Sequence, residues 1–342
     1  LEKKYLIGEN RSFANYSFYI GATNDNLDQV LKIDKNRVCG VKIFMGSSTG
    51  NMLVDNEKAL RDVFKNCESI ITTHCEDENT IKENLKKSIE KYGENIPIDQ
   101  HPIIRSREAC YKSSSKAIDL AKEYNSKLHV LHISTKEELD LFDNKQNLKD
   151  KKITSEACLH HLWFDERDYK SLGNLIKWNP AIKKADDKNA ILKGLKNNNI
   201  DVIATDHAPH TIEEKSSYYT NCPSGGPLIQ HSLPLLLEMY HNNSLDLETI
   251  VTKTSHNPSI LFEIKDRGFV REGYYADLVL FDLNSPWKVS DSILYSKCNW
   301  TPFKKESFKS KVIHTIVSGN HVFDNGIINK NLNSKRIEFE RD

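Results

Sequence analysis

The stretch Asp201-Val-Ile-Ala-Thr-Asp-His-Ala-Pro-His210 decides how this chain is read. Its first half is a short β-branched, apolar run of the kind that fills a buried strand. Its second half delivers an acid and two imidazoles, Asp206, His207 and His210, and Pro209 has no N–H with which to continue strand pairing. A buried strand that presents such groups at its C-terminal end is the spoke of a (β/α)8 barrel, where catalytic residues gather at strand C-termini. Beside a bound cation, a carboxylate can both ligate and move a proton, so Asp206 is the first candidate catalytic residue.

Upstream, similar runs recur between helical segments: Tyr16–Gly21, Val38–Met45, Ser69–Cys75, Leu128–Ser134 and Lys152–Cys158. Helices are expected over 26–32, from an N-cap signal at Asp55-Asn56 to Asn66, over 77–91, 104–124, 136–142 and 187–196, and near 227–239, 247–254 and 258–262. Strand–helix alternation with short apolar strands predicts a parallel sheet covered by helices. After Lys265 the texture changes. Gly273–Asp282 and His314–Phe323 read as strands, the second with a Gly-Asn hairpin signal. We therefore divide the chain into a barrel, 1–265, and a small β-sandwich portion with a C-terminal tail, 266–342.

The 342 residues carry 48 basic and 48 acidic side chains, so net charge gives no reason to expect nucleic acid or an anionic membrane as partner. The seven cysteines are odd in number and contain no C-x-x-C pair, which predicts reduced thiols and a cytoplasmic location. We read neither a secretory leader nor a run of the roughly 18–20 apolar residues that spans a bilayer. Gly46-Ser-Ser-Thr-Gly50 has the look of a phosphate cradle but lacks the Gly-Lys-Ser/Thr of a P-loop.

Four strands carry chemistry: Lys42 on the second, His74 ending the third, His132 ending the fourth and Asp206 ending the sixth. One histidine on an apolar strand is ordinarily a hydrogen-bonded core residue; four such groups in order suggest a metal centre. The order Lys, His, His, Asp resembles that of the amidohydrolase superfamily with a binuclear metal site, and the details resemble dihydroorotases. Gly40-Val-Lys-Ile-Phe-Met45 is similar to the carbamylated-lysine strand. Thr73-His-Cys-Glu-Asp77 and Leu131-His-Ile-Ser-Thr135 are similar to the histidine strands. Ala204–His210 is closer to the dihydroorotase form of the last strand than to the hydantoinase or allantoinase forms. Lys177-Trp-Asn-Pro-Ala-Ile-Lys183 resembles the segment whose asparagine contacts substrate, and 276–280 with 314–319 resemble the C-terminal β-sandwich. The similarity runs from about Phe13 to Ile328.

That resemblance implies reversible cyclisation of N-carbamoyl-L-aspartate to L-dihydroorotate, a step of pyrimidine biosynthesis, by a metal-activated hydroxide. Two zinc ions would be bridged by Lys42 as its carbamate. His74 and His132 would bind one ion. Asp206 would bind the other and shuttle the proton. Asn179 and His210 would contact substrate, and Ser224 and Gly225 would offer backbone groups to the ring. The resemblance also implies a homodimer. His160-His161, His101 and Arg105 are assigned no direct role, and Glu76 and Asp77 read as acids at a helix N-terminus. One departure stands out: the family's His-x-His pair and following arginine are absent. The first strand resembles the third of a barrel, so strands 3–8 are expected here and the chain alone is not expected to be a competent enzyme. The alternatives are a dihydropyrimidinase-, hydantoinase- or allantoinase-type amidase, and an inactive dihydroorotase-like scaffold.

Overall fold

The computed structural model describes residues 1–46, 52–330 and 334–341. Ser47–Asn51, most of the glycine- and hydroxyl-rich loop singled out above, lie outside the described residues. Six strands follow one another in space as they do in sequence: β1 (Tyr19–Gly21), β2 (Gly40–Phe44), β3 (Ile71–His74), β4 (Leu128–Val130), β5 (Ile153–Cys158) and β6 (Val202–Ala204). All pair in parallel, so their C-terminal ends share one side. The sheet and its covering helices are the TIM-barrel arrangement expected from the sequence, with strands 3–8 of such a barrel present.

The strands are shorter than the apolar runs that announced them. Tyr16 makes only an isolated parallel bridge to Arg336, outside β1. The segment expected as a helix over 136–142 is a 3₁₀ turn, Glu137–Leu141. Its acid Glu138 is buried and accepts from Ser114 Oγ at 2.6 Å and Thr135 Oγ1 at 2.9 Å. These local side-chain bonds compete with a continuing helix.

The covering helices begin and end where their caps dictate. Asn56, Asp77 and Ser106 accept hydrogen bonds from the exposed N–H groups of Ala59, Thr80 and Ala109, opening helices Glu57–Asn66, Glu78–Tyr92 and Arg107–Tyr124. Gly93 and the left-handed Asn125 close the second and third of these. One core lies between the early strands and their helices and includes Val41, Ile43, Ile71, Phe64, Ile118 and Leu128. Burying a side chain such as Phe64 contributes roughly 1.5–3 kcal/mol. A second core gathers Trp178, Ile203, Leu235 and Phe164 around the late strands.

Beyond the barrel, β7 (Leu278–Asp282), β10 (Lys311–Val317), β11 (Asn320–Asp324) and β12 (Ile327–Ile328) form an antiparallel sheet in the order β12-β11-β10-β7. Between them β8 (Trp287–Lys288) pairs with β9 (Ser307–Phe308). The β10–β11 turn centres on Ser318 and Gly319, both left-handed, one residue earlier than the Gly-Asn signal suggested. Val289, Phe303 and Phe308 belong to the same core as Phe164 and Leu235. The division drawn at residue 265 therefore crosses a shared core. We propose the four-stranded sheet alone as the separate small unit. The tail folds back: Phe339 bridges Ile264, and the Arg341 guanidinium donates to the carbonyls of Lys35, Val38, Cys39 and Phe262. Among the described residues no helix is long and apolar enough to cross a membrane.

Candidate metal centre

Lys42 sits inside β2, paired with Gly21 of β1 and Thr72 of β3. His74 is the last residue of β3. His132 and Asp206 each follow a strand end by two residues, and both have left-handed backbones, φ 41° and 48°. Such a conformation costs a non-glycine residue on the order of 1–3 kcal/mol and persists where the surroundings fix it, often at functional sites.

The two histidines meet. His74 Nδ1 lies 3.0 Å from His132 Nε2, with the rings edge to face at 4.7 Å. Both are buried, and burial pushes both pKa values down, that of His132 well down, so both rings are neutral donors of lone pairs. Burial also lowers the Lys42 ammonium, opposed by the fields of Glu156 and then Asp206. The Asp206 carboxyl is raised to about 6 because protein crowds it, with Lys42 opposing and Glu156 reinforcing the shift. Asp206 is nevertheless exposed by accessible area.

The donor set fits a zinc-type ion on the histidine pair. Donors 2.0–2.1 Å from a tetrahedral zinc are about 3.3 Å apart, close to the observed nitrogen separation. The outer nitrogens, His74 Nε2 and His132 Nδ1, are buried without a hydrogen-bond partner. His74 Nε2 is 3.0 Å from a Glu76 oxygen, within ion-pair reach but off line for a hydrogen bond. A carboxylate behind the distal nitrogen is the usual support of a metal-ligating histidine. Asp206 stands further off: among the described residues, His74, His132 and Asp206 do not bring three ligating atoms within 4.8 Å of one another. Lys42 is the charged neighbour common to all three.

On the other flank, three expected substrate residues are joined in one chain. Ser224 Oγ donates to Asn179 Oδ1 at 2.9 Å, and the Ser224 carbonyl lies 3.2 Å from His210 Nε2. Gly225 is in place, at φ 123°, where a Cβ would fall 2.4 Å from the Ala208 carbonyl oxygen. Its N–H, however, donates to the Lys177 carbonyl at 2.8 Å and its own carbonyl accepts from Lys215 Nζ at 2.9 Å. Both backbone groups of Gly225 thus already have partners within the chain, and the glycine permits the close backbone approach seen here. Lys215 also holds the Pro223 carbonyl, and Lys177 holds those of Tyr219 and Cys222. Burial lowers both lysines to about 8. His207 is spent on structure, its Nδ1 accepting from the N–H groups of Leu228 and Ile229.

Sequence reasoning missed four supporting residues. Glu76 is fully buried and is no ordinary helix-start acid; Asp77 fills that role as N-cap. Burial would raise Glu76, but Arg105, hydrogen-bonded to it, and His74 hold it at about 2. His101 bridges Tyr219 OH at 2.8 Å and the Trp178 carbonyl at 2.7 Å, next to Asn179. Glu156 on β5 is 3.1 Å from His129 Nε2 and accepts from the His132 N–H at 3.4 Å. The available signals were the His-x-Glu spacing at 74–76, which keeps both residues on one side of extended chain, and an acid inside a buried strand. His160 stacks on Trp178, and His161 Nε2 meets the Pro180 carbonyl at 3.0 Å, so both lie in the core.

Residues 26–322 match the Amidohydrolase family. The dihydroorotase of Methanosphaera stadtmanae is 31% identical over 93% of this chain and 72% of its own length. That of Pyrococcus horikoshii is 33% identical over 84% of this chain and 62% of its own. The L-hydantoinase (dihydropyrimidinase) of Arthrobacter aurescens shares the fold, with a TM-score of 0.89 at 24% identity over 96% of this chain and 74% of that one. The family match over residues 26–322 and these relatives over most of its length establish that the chain belongs to the amidohydrolase family.

Proposed function

We propose that the protein is a dihydroorotase, interconverting N-carbamoyl-L-aspartate and L-dihydroorotate, with Lys42, His74, His132 and Asp206 as its metal-binding residues. The observation that carries the proposal is the buried His74–His132 pair at 3.0 Å, with Lys42 acting electrostatically on both rings and on Asp206. A zinc-type ion bound there would supply a nucleophilic water at neutral pH and polarise the ring carbonyl. Carbamylation of Lys42 would extend it toward both halves of the site, and burial favours the neutral amine that reacts with carbon dioxide. It would also place a negative charge beside Glu156 and Asp206, which dications bound there would offset.

Within this site the Asp206 carboxylate would take a proton from the attacking water and return it to the leaving nitrogen. Glu76, fixed by Arg105, orients His74. The Asn179–Ser224–His210 chain presents an amide and an imidazole on one flank, suited to a ring that carries a carboxylate. The sequence form of Ala204–His210 supports dihydroorotate over neutral rings. The test offers dihydroorotate, dihydrouracil and allantoin side by side to the full-length zinc-loaded protein. Ring opening of dihydroorotate alone is expected; preference for either neutral ring would overturn the substrate assignment.

A further inference from the structure

A second cluster of metal-ligating atoms lies outside the barrel, on the hairpin of β10 and β11. His314, His321 and Asp324 place one ligating atom each within 4.8 Å of the others, and they are the set of three among the described residues that does so. His314 Nδ1 is 3.0 Å from His321 Nε2 and 3.2 Å from Asp324 Oδ1. His314 is half-buried; His321 and Asp324 are exposed.

The backbone explains how three residues of one hairpin come to face the same way. His314 and Asp324 are direct cross-strand partners, so their side chains share a face. His321 lies three residues from Asp324, and simple alternation along β11 would send it to the opposite face. The register shifts between Thr315 and Ile316: Thr315 faces Phe323, whereas Ile316 faces His321, which leaves Val322 as an extra residue. That bulge restores His321 to the face of His314 and Asp324, as bulges re-aim side chains elsewhere. The two-residue turn at Ser318-Gly319 fixes the pairing that follows.

The contacts are poorly served by protons alone. One ring nitrogen of His314 has a single hydrogen or a single lone pair, yet it meets both the second imidazole and the carboxylate. A cation among the three would satisfy all of them. The two short separations are close to the roughly 3.3 Å edge of a tetrahedral zinc site. Two imidazoles and one carboxylate suit a borderline transition dication and not calcium or magnesium, which take oxygen donors. Lys311 is committed to Asn325 Oδ1 at 3.2 Å and does not neutralise Asp324.

We propose that His314, His321 and Asp324 form a surface site for a zinc-type dication, separate from the barrel centre, with a fourth coordination position left to water. The test is zinc competition against a chromogenic chelator on the full-length protein. His321→Ala should lower the zinc content by one equivalent and leave ring-opening activity at the parent level. In a His74→Ala/His132→Ala background, adding His321→Ala should remove one further equivalent of zinc, and adding Asp324→Asn should weaken the binding of that same equivalent. Since His321 is exposed, the single variant keeps the test decisive even if the barrel double variant folds poorly. Unchanged zinc content on His321→Ala would overturn the proposal and leave a hydrogen-bonded surface pair.

Discussion

Glu76 shows what a single residue can hide. In sequence it is one of two acids ahead of a helix; in the fold it is fully buried between His74 and Arg105. We predict that Glu76→Gln lowers zinc affinity of the barrel centre by about 10–100-fold, since outer carboxylates contribute on that scale. Chelator competition measures this, and an unchanged affinity would remove Glu76 from the support of His74. Asp165 gives a pH prediction away from the centre. The residue is 2% exposed, and its carboxylate is held below the usual range by Arg167 and Lys188. A depressed folded pKa means the stabilisation is present above the unfolded value, about 3.9, and is lost as pH falls below it. Asp165→Asn should therefore be less stable than the parent at pH 7, with the difference shrinking below about pH 4. Equal melting temperatures at pH 7 would contradict this. Lys42, His74, His132 and Asp206 stood out as candidates because polar groups on apolar strands are conspicuous. Glu76 and Glu156 were not, since their meaning depends on partners distant in sequence.

At the scale of elements, the six strands and most helices could be read from apolar runs and caps such as Asp77 and Ser106. Strand limits could not, because pairing stops where the sheet turns away and not where apolarity ends. The bulge at Val322 was hidden for the same reason: it is a property of register. The Asn325-Gly326 turn between β11 and β12 carried a standard hairpin signal that was overlooked; both residues are left-handed. The segment 222–226 is held by lysine ammonium groups on backbone carbonyls, which no local pattern announces. Its tolerance to change is testable. Gly225→Ala would combine φ 123° with a Cβ 2.4 Å from the Ala208 carbonyl. A loss of about 1–3 kcal/mol is expected, read from urea unfolding, together with weaker substrate binding. A neutral substitution would show that the loop can shift.

Across the whole molecule, the tail ties distant parts together. Arg341, the last residue described, donates to carbonyls before β2 and to Phe262. Arg341→Ala should cost on the order of 2–3 kcal/mol, the scale of hydrogen bonds to a buried charge. An unchanged urea midpoint would show that the tail is not bound this way in solution. The barrel was legible as a whole from strand–helix alternation. The sharing of one core by Phe164, Leu235, Phe303 and Phe308 was not, since it joins segments on both sides of a change in texture. The central claim is that these strands converge on a site where Asp206 moves a proton during ring opening. The most direct measurement is kcat for dihydroorotate with zinc-loaded full-length protein and its Asp206→Asn variant, with metal content determined in both. We predict a fall of about 10²–10⁴-fold with the fold retained. Turnover by Asp206→Asn at the parent rate would contradict the account.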